Sequence, residues 1–467
     1  MKKFFLLLTL TISTHLFLLV FLQFIAWPEM VLWPYLLDKG LLPYRDIIIV
    51  YPPALIILLA LLGKIFGITL IGLKLYTWIL ILLTDLLIFF VTKKITDNVK
   101  VAFISLLFYV LWQPFFEGNA MWFDLVLAPL ALLVFYLLWR REFLGSGILF
   151  GLAISIKQTA FWFFVPIMLT FWLTKELKPN TLVKFVIGSA VLPMACLLYL
   201  VQADIFQDFF QWAINFGVFY LPRAPGQVLL PTVKNILAVG VPYGLLLMAV
   251  FMFIKRKTGK EKSSLLLLLP LWALFGVLGT YPRWEYFHFQ PSLPFLAVVS
   301  GLVISSLKIS LKKKSNFLIL LYLILIFFGT VYLQARFYRL NWQKPTRFFE
   351  TDVLDGARWL KENTKSSEKI YILNSWDHLY ALSDTLPAVA PLIHTLSWQL
   401  EYPGMQEKYV ADLTKNKPRI VVFEPYYDRG WGSGIGLYKP EKIDKFLQEN
   451  YILEEIIAGR FWILKKK

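Results

Sequence analysis

Apolar residues dominate the chain from its N-terminus to about residue 335, in long runs separated by short polar stretches. A helix needs roughly 20 consecutive apolar residues to cross a bilayer. The runs predict membrane helices at roughly 4–26, 69–92, 100–116, 121–139, 144–157, 159–174, 181–201, 233–254, 264–280, 291–307 and 316–335, about 11 spans. Segments 144–157 and 159–174 are short for a crossing, and 54–66, which holds Lys64, is expected to lie partly sunk in the outer interface. After residue 335 the pattern becomes that of a soluble protein. Val353, Leu354, Ala357 and Leu360 share one face of an expected helix over 350–363. KIYIL, RIVVFEP and RFWIL are β-rich runs bounded by turn or charged residues. The expected fold class is a polytopic α-helical membrane protein with a small C-terminal extracytoplasmic α/β domain. The division falls near residue 338, giving a transmembrane domain over 1–338, with its first external loop at 27–53, and an α/β domain over 339–467.

Basic residues orient this pattern. Lys2 and Lys3, Lys93 and Lys94, Arg140 and Arg141, Lys175 and Lys178, Lys255 to Lys257, and Lys312 to Lys314 fall at alternate helix ends. Cytoplasmic loops collect Lys and Arg. The expected protein is therefore multi-pass in the cell (cytoplasmic) membrane, with a cytoplasmic N-terminus and, for an odd number of spans, an extracytoplasmic C-terminal domain. The apolar run after Met1 continues to Trp27 with no small-residue cleavage site, so it reads as an uncleaved first helix.

Composition agrees. Hydrophobic residues make up 58% and charged residues 16% of the 467, against about 25% charged in a soluble domain. The net charge of +17 does not signal nucleic acid, because its Lys and Arg are spent at helix ends. The one cysteine, Cys196, excludes an internal disulfide and reads as a small buried hydrophobe.

The expected external loops hold few charges, isolated and mixed in sign: Asp38, Arg45, Asp46, Glu117, Asp124, Arg223, Arg283, Glu285 and His288, with Lys157 at a helix end. Charges at the rim of hydrocarbon are costly and tend to be functional. In YRDIIIVYPP, two prolines stiffen the loop that presents Asp46, a candidate general base, beside Arg45, which could orient it or bind an anion. A salt-bridged interfacial loop is the plain alternative. In YPRWEYFHFQPSLP, Arg283 and His288 stand among aromatics including Tyr286, suited to a phosphate or simply to an aromatic belt. Lys157 interrupts GLAISIKQTAFWFF, either snorkelling or meeting an anion. Asp124 opens a helix after Glu117, as a helix-dipole partner, or as a residue that binds sugar hydroxyls, orients the base, or shares a divalent cation (Mg or Mn) with Asp46.

A lysine-flanked first helix, then G-x-x-x-Y-R-D closely followed by Y-P-P, resembles the first external loop of GT-C glycosyltransferases of the protein-mannosyltransferase-like, dolichyl- or polyprenyl-phosphate-sugar-dependent branch. FDLVLAPLAL, GLAISIKQT and R-x-x-Y-F-H-F-Q-P-S-L-P resemble later segments of that family in the same order, over residues 1–310. The motif has one Asp, not the adjacent Asp-Glu pair of some branches, with Asp38 eight residues earlier. The resemblance implies an inverting glycosyl transfer from a polyprenyl-phosphate sugar donor to a glycan, lipid or protein acceptor. Membrane lipid is the surrounding partner and nucleic acid is not one. It implies Asp46 as base, Asp124 on donor or acceptor hydroxyls, and Lys157, Arg283 and His288 at the lipid phosphate. The rival readings are a lipid-linked sugar transporter or flippase, and an assembly protein. Neither a phosphate-binding Gly-rich loop nor H-E-x-x-H is present in the sequence.

Overall fold

The computed structural model describes residues 2–467 apart from 225–226, 256–265, 267, 307–313, 394–399, 401 and 427–438. His394, most of the YYDRGWGSGIG stretch and parts of two basic clusters lie outside the described residues. Helices run in chain order as α1 (Lys2–Phe21), α2 (Glu29–Asp38), α3 (Ala54–Phe66), α4 (Leu70–Thr96), α5 (Val99–Trp112), α6 (Phe123–Trp139), α7 (Phe143–Ile156) and α8 (Phe164–Leu173). They continue as α9 (Pro179–Gln202), α10 (Phe206–Phe209), α11 (Val233–Lys255), α12 (Leu268–Val277), α13 (Leu293–Ser306) and α14 (Lys314–Asn341). Helices α15 (Thr351–Asn363), α16 (Leu379–Ser383), α17 (Met405–Asn416) and α18 (Glu441–Asn450) follow, interleaved with strands β1 (Lys369–Leu373), β2 (Leu386–Pro387), β3 (Ile420–Phe423), β4 (Tyr451–Ile457) and β5 (Phe461–Lys466).

Among the described residues, Phe4–Phe21, Leu70–Thr96, Pro179–Gln202 and Val233–Met252 are long and apolar enough to cross a membrane, and seven further apolar helices are shorter. Helix α1 stops at Phe21 rather than near 26. Its last carbonyls are taken by a side chain, with Asn119 Nδ2 donating to Leu19 O at 2.9 Å and Leu22 O at 3.2 Å. Pro114 follows directly on the end of α5 and its neighbour Gln113, as expected where a backbone donor is missing. Helix α2 lies inside what reads as a plain loop, because Pro28 and the internal Pro34 hide its signal.

The chain gathers into two compact units. One comprises Met1–Ile25, Lys74–Ala195 and Leu230–Lys344, the other Ala26–Leu73, Cys196–Leu229 and Pro345–Lys467. Within the second unit, Ile48 N donates to Leu392 O at 2.9 Å, Leu392 N donates to Asp46 O at 2.7 Å, and Lys39 pairs with Asp384 at 2.6 Å. The Lys39 ammonium holds the Asp384 carboxyl below the usual carboxylate range.

The first unit is helical and packed around aromatics. The wholly buried Trp272 stacks on Phe163 at 5.4 Å between ring centroids and meets the edge of Phe135 at 5.6 Å. Its outward residues on α1, α4 and α9 are apolar, with Leu6 70%, Leu83 56% and Val186 61% exposed, a surface that fits lipid and not water. Helices α7 and α9 touch backbone to backbone: a methyl at Gly151 would strike Ser189 O, and one at Gly147 would strike Phe185 O. Small residues at four-residue spacing permit such approach between membrane helices.

The second unit holds a five-stranded sheet in the order β2-β1-β3-β5-β4. β1 runs parallel to β2 and β3, and β5 is antiparallel to β3 and β4. Val353, Ala357 and Leu360 of α15 are buried, and Gly356 admits the Phe461 ring.

Candidate active site

Helices α6 and α7 form an antiparallel hairpin turned at Arg140 and Arg141. Asp124 in the first turn of α6 and Lys157 just beyond α7 therefore meet at its other end, although 33 residues apart. At Lys157 the backbone turns extended, φ −148° and ψ 130°, which ends α7 and directs the side chain inward. Lys157 Nζ donates to Asp124 Oδ2 at 2.5 Å. The same oxygen lies 2.9 Å from His288 Nδ1, and Nζ lies 3.3 Å from that nitrogen. The side chains are 1% (Asp124), 3% (Lys157) and 10% (His288) exposed, so three ionisable groups from α6, α7 and the 281–290 loop share one buried oxygen. A buried charge of this kind persists only when paired and hydrogen-bonded. Asp124 Oδ1 is buried with no hydrogen-bond partner among the described residues, and a methyl at Gly279 would lie 3.8 Å from it.

Around this cluster, Tyr286 accepts at its hydroxyl from Asn235 Nδ2 at 2.9 Å. Burial pushes the Tyr286 hydroxyl pKa up; the Asn235 amide opposes this, and the negative charge of Glu117 adds to it. Glu117 thus acts on the same neighbourhood, from a left-handed backbone position at φ 53°. Arg283 is engaged by Glu285, Nε to Oε1 at 2.6 Å.

In the second unit, Asp46 is half-buried in a tight turn whose geometry its own carboxylate holds, Oδ2 accepting from Leu42 N at 2.7 Å. Tyr44 is fully buried at φ 67°, its hydroxyl donating to Tyr51 O at 2.8 Å across the loop. Arg45 turns away from Asp46. Its Nε donates to Asp208 Oδ2 at 3.1 Å, and its Nη2 reaches Asp204 Oδ2 at 3.3 Å and the Asp204 carbonyl. Asp38 ends α2 in an exposed position.

No family model and no curated protein matches the chain by sequence. Solved structures match by shape over nearly its whole length. ArnT from Cupriavidus metallidurans, a crystal structure bound to undecaprenyl phosphate, superposes with a TM-score of 0.62 at 11% identity, covering 98% of this chain and 97% of that one. The chain has the GT-C fold. The archaeal oligosaccharyltransferase AglB from Archaeoglobus fulgidus, in complex with an inhibitory peptide and a dolichol-phosphate, gives 0.51 at 12% identity, over 100% of this chain and 74% of that one. The mycobacterial arabinofuranosyltransferase AftD gives 0.50 at 13% identity, over 98% of this chain and 41% of that one.

Asp124 Oδ2 accepts from an ammonium and an imidazole, and among the described residues no three His, Cys, Asp or Glu side chains gather in one place. The acidic partners of Arg45 are not among the candidates drawn from the sequence. Asp204 and Asp208 follow directly on the apolar run 181–201, where acids are as informative as Asp46. Asp85 stands inside the predicted span 69–92, and there it pairs with His15, Nδ1 to Oδ2 at 2.7 Å. An ionisable residue inside a membrane run was the available signal.

Proposed function

We propose that this protein transfers a glycosyl group from a polyprenyl-phosphate-linked sugar to an acceptor hydroxyl on the extracytoplasmic side of the membrane, with inversion. The observation that supports it best is the buried Asp124–Lys157–His288 cluster, held at one end of an apolar helix hairpin within a GT-C fold. A lipid phosphate cannot leave the membrane plane, so groups that hold it must stand at helix ends. An ammonium has three donors, so a carboxylate and a phosphate oxygen can share Lys157. With Nδ1 turned to Asp124, His288 would meet the phosphate through Nε2. Asp124 Oδ1, which lacks a hydrogen-bond partner among the described residues, would accept from a sugar hydroxyl.

In the reaction the acceptor oxygen forms a bond to the anomeric carbon as the bond from that carbon to the phosphate oxygen breaks. The electron pair stays on the phosphate, and the acceptor proton passes to Asp46. The leaving phosphate gains one negative charge, which preorganised cationic donors stabilise most strongly in the transition state. Arg283, tied to Glu285, and Tyr286, tied to Asn235, are assigned to donor binding rather than to proton transfer. Arg45 braces the Asp46 loop through Asp204 and Asp208.

The test uses full-length protein in nanodiscs with a panel of radiolabelled polyprenyl-phosphate sugars. One donor is consumed by the wild type, and Asp46→Asn lowers the rate by a factor of about 100 or more while insertion and folding are unchanged. Full activity of Asp46→Asn would remove Asp46 from the mechanism. Movement of labelled donor across vesicles without any product would replace the transferase by a flippase.

A further inference from the structure

Helices α1, α4 and α5 bury a second polar cluster that the proposed chemistry does not use. His15, Asp85 and Gln113 are all wholly buried. His15 Nδ1 lies 2.7 Å from Asp85 Oδ2, and its Nε2 lies 3.3 Å from Gln113 Oε1. The Gln113 amide is oriented by its other end, where Nε2 donates to Gly118 O at 2.8 Å. Its oxygen therefore faces His15, Nε2 of the imidazole bears a hydrogen, and one further proton lies between Nδ1 and Asp85. From Gln113 the connection continues. Gln290 Nε2 donates to Gln113 O at 3.1 Å and to Phe116 O at 2.9 Å. Gly118 is required at this junction, because a methyl there would strike the Gln113 side chain and backbone and come 2.5 Å from Gln290 Nε2. The chain of contacts joins the loop 113–122, which leads into Asp124, to Gln290, two residues from His288.

Stability does not explain this cluster. Replacing a buried ion pair by apolar residues of similar volume is often neutral or stabilising. What a hydrogen-bonded chain supplies, and an apolar one cannot, is direction. We propose that His15, Asp85, Gln113 and Gln290 are positioning residues, which lock the loops bearing Asp124 and His288 to each other and hold both side chains on Lys157. The catalytic consequence rests on the proposed function; the locking of the two loops does not.

The test is the apolar replacement His15→Phe/Asp85→Leu in the full-length protein, with Gln113→Leu as a second variant should the first fail to fold. Hydrogen exchange is measured on peptides covering 113–122 and 281–290, and donor consumption is measured with the panel above. The expected result is thermal stability within a few degrees of the wild type, exchange at least about tenfold faster in both loops, and donor consumption down about 10- to 100-fold, the size of loss known for removing a partner that orients a metal-binding side chain. Unchanged exchange in both loops overturns the locking, whatever the activity. Faster exchange with undiminished transfer overturns its catalytic consequence. A wild type that consumes no donor defeats the proposed function alone, and the exchange measurement still decides the locking.

Discussion

Asp124 shares one carboxylate oxygen between an ammonium and an imidazole, all three groups out of water. Each member is costly alone and tolerable together, which makes an unusual set of mutational signs. Removing one partner of a buried pair leaves an uncompensated charge and typically costs about 3–5 kcal/mol. Lys157→Met strips the carboxylate of its main counter-charge, and Asp124→Asn strands the ammonium. Each single variant should lose about that much stability. The double variant Lys157→Met/Asp124→Asn should recover most of it, because the remaining amide still accepts from His288. Activity should follow the opposite rule: donor consumption falls in all three, and the double variant is no better than Lys157→Met. Melting curves in detergent beside the transfer assay separate the two. A double variant whose destabilisation equals the sum of the singles would show that the pair is not coupled in the folded protein.

At the scale of elements, α7 is where local sequence sets the reach of a functional side chain. It has only 14 residues, about 21 Å of helix, and its glycines bring α9 to backbone contact. Lys157 leaves the last turn of this helix, so its height above Asp124 follows from how closely α7 lies on α9. Gly151→Leu should separate the two helices and cost about 1–3 kcal/mol as overpacking, and it should lower donor consumption at least tenfold although residue 151 touches no member of the cluster. If Gly151→Leu lowered stability while leaving turnover per folded molecule unchanged, Lys157 would not depend on that packing. These features were unequally legible in the sequence. The apolar runs read as helices because a long hydrophobic stretch permits little else, and the ends of α11 fall within a residue of expectation at 233 and 255. Strand β4 went unseen because Ile452, Leu453, Glu454, Glu455 and Ile456 are all exposed, which erases the alternation that marks a half-buried strand. Asp124, Lys157 and His288 stand out as charges in apolar company, and the family resemblance already brings Lys157 and His288 to one phosphate. Their direct pairing with Asp124 was not legible, because it depends on a hairpin and on a contact 164 residues apart. The turn of Arg45 toward Asp204 and Asp208 was hidden for the same reason.

For the whole molecule, one question follows from the charge pattern: which face of the membrane each end of the helices meets. The turn between α6 and α7 holds Arg140 and Arg141, the link from α8 to α9 holds Lys175 and Lys178, and α4 ends in Lys93 and Lys94. In chain order these lie opposite, along their own helices, to the end of the α6–α7 hairpin that carries Asp124 and Lys157. If Lys and Arg mark the cytoplasmic loops here, the Asp124 end is expected on the outside. The same rule leads to the expectation that the segment after Pro345 is exposed outside. Both assignments can be read with one reagent. Cys196 is the only native cysteine, so Cys196→Ser gives a blank background. Arg141 and Lys415 are exposed positions, one in the basic turn after α6 and one near the end of α17. In intact cells a membrane-impermeant maleimide should label Lys415→Cys fully and Arg141→Cys hardly at all, and permeabilisation should bring Arg141→Cys to the same level. The reverse pattern would put the buried cluster on the cytoplasmic face, where the extracytoplasmic transfer proposed here could not take place. Labelling of both positions in intact cells would mean an even number of crossings between residues 141 and 415, so that the basic clusters do not govern the topology of this chain.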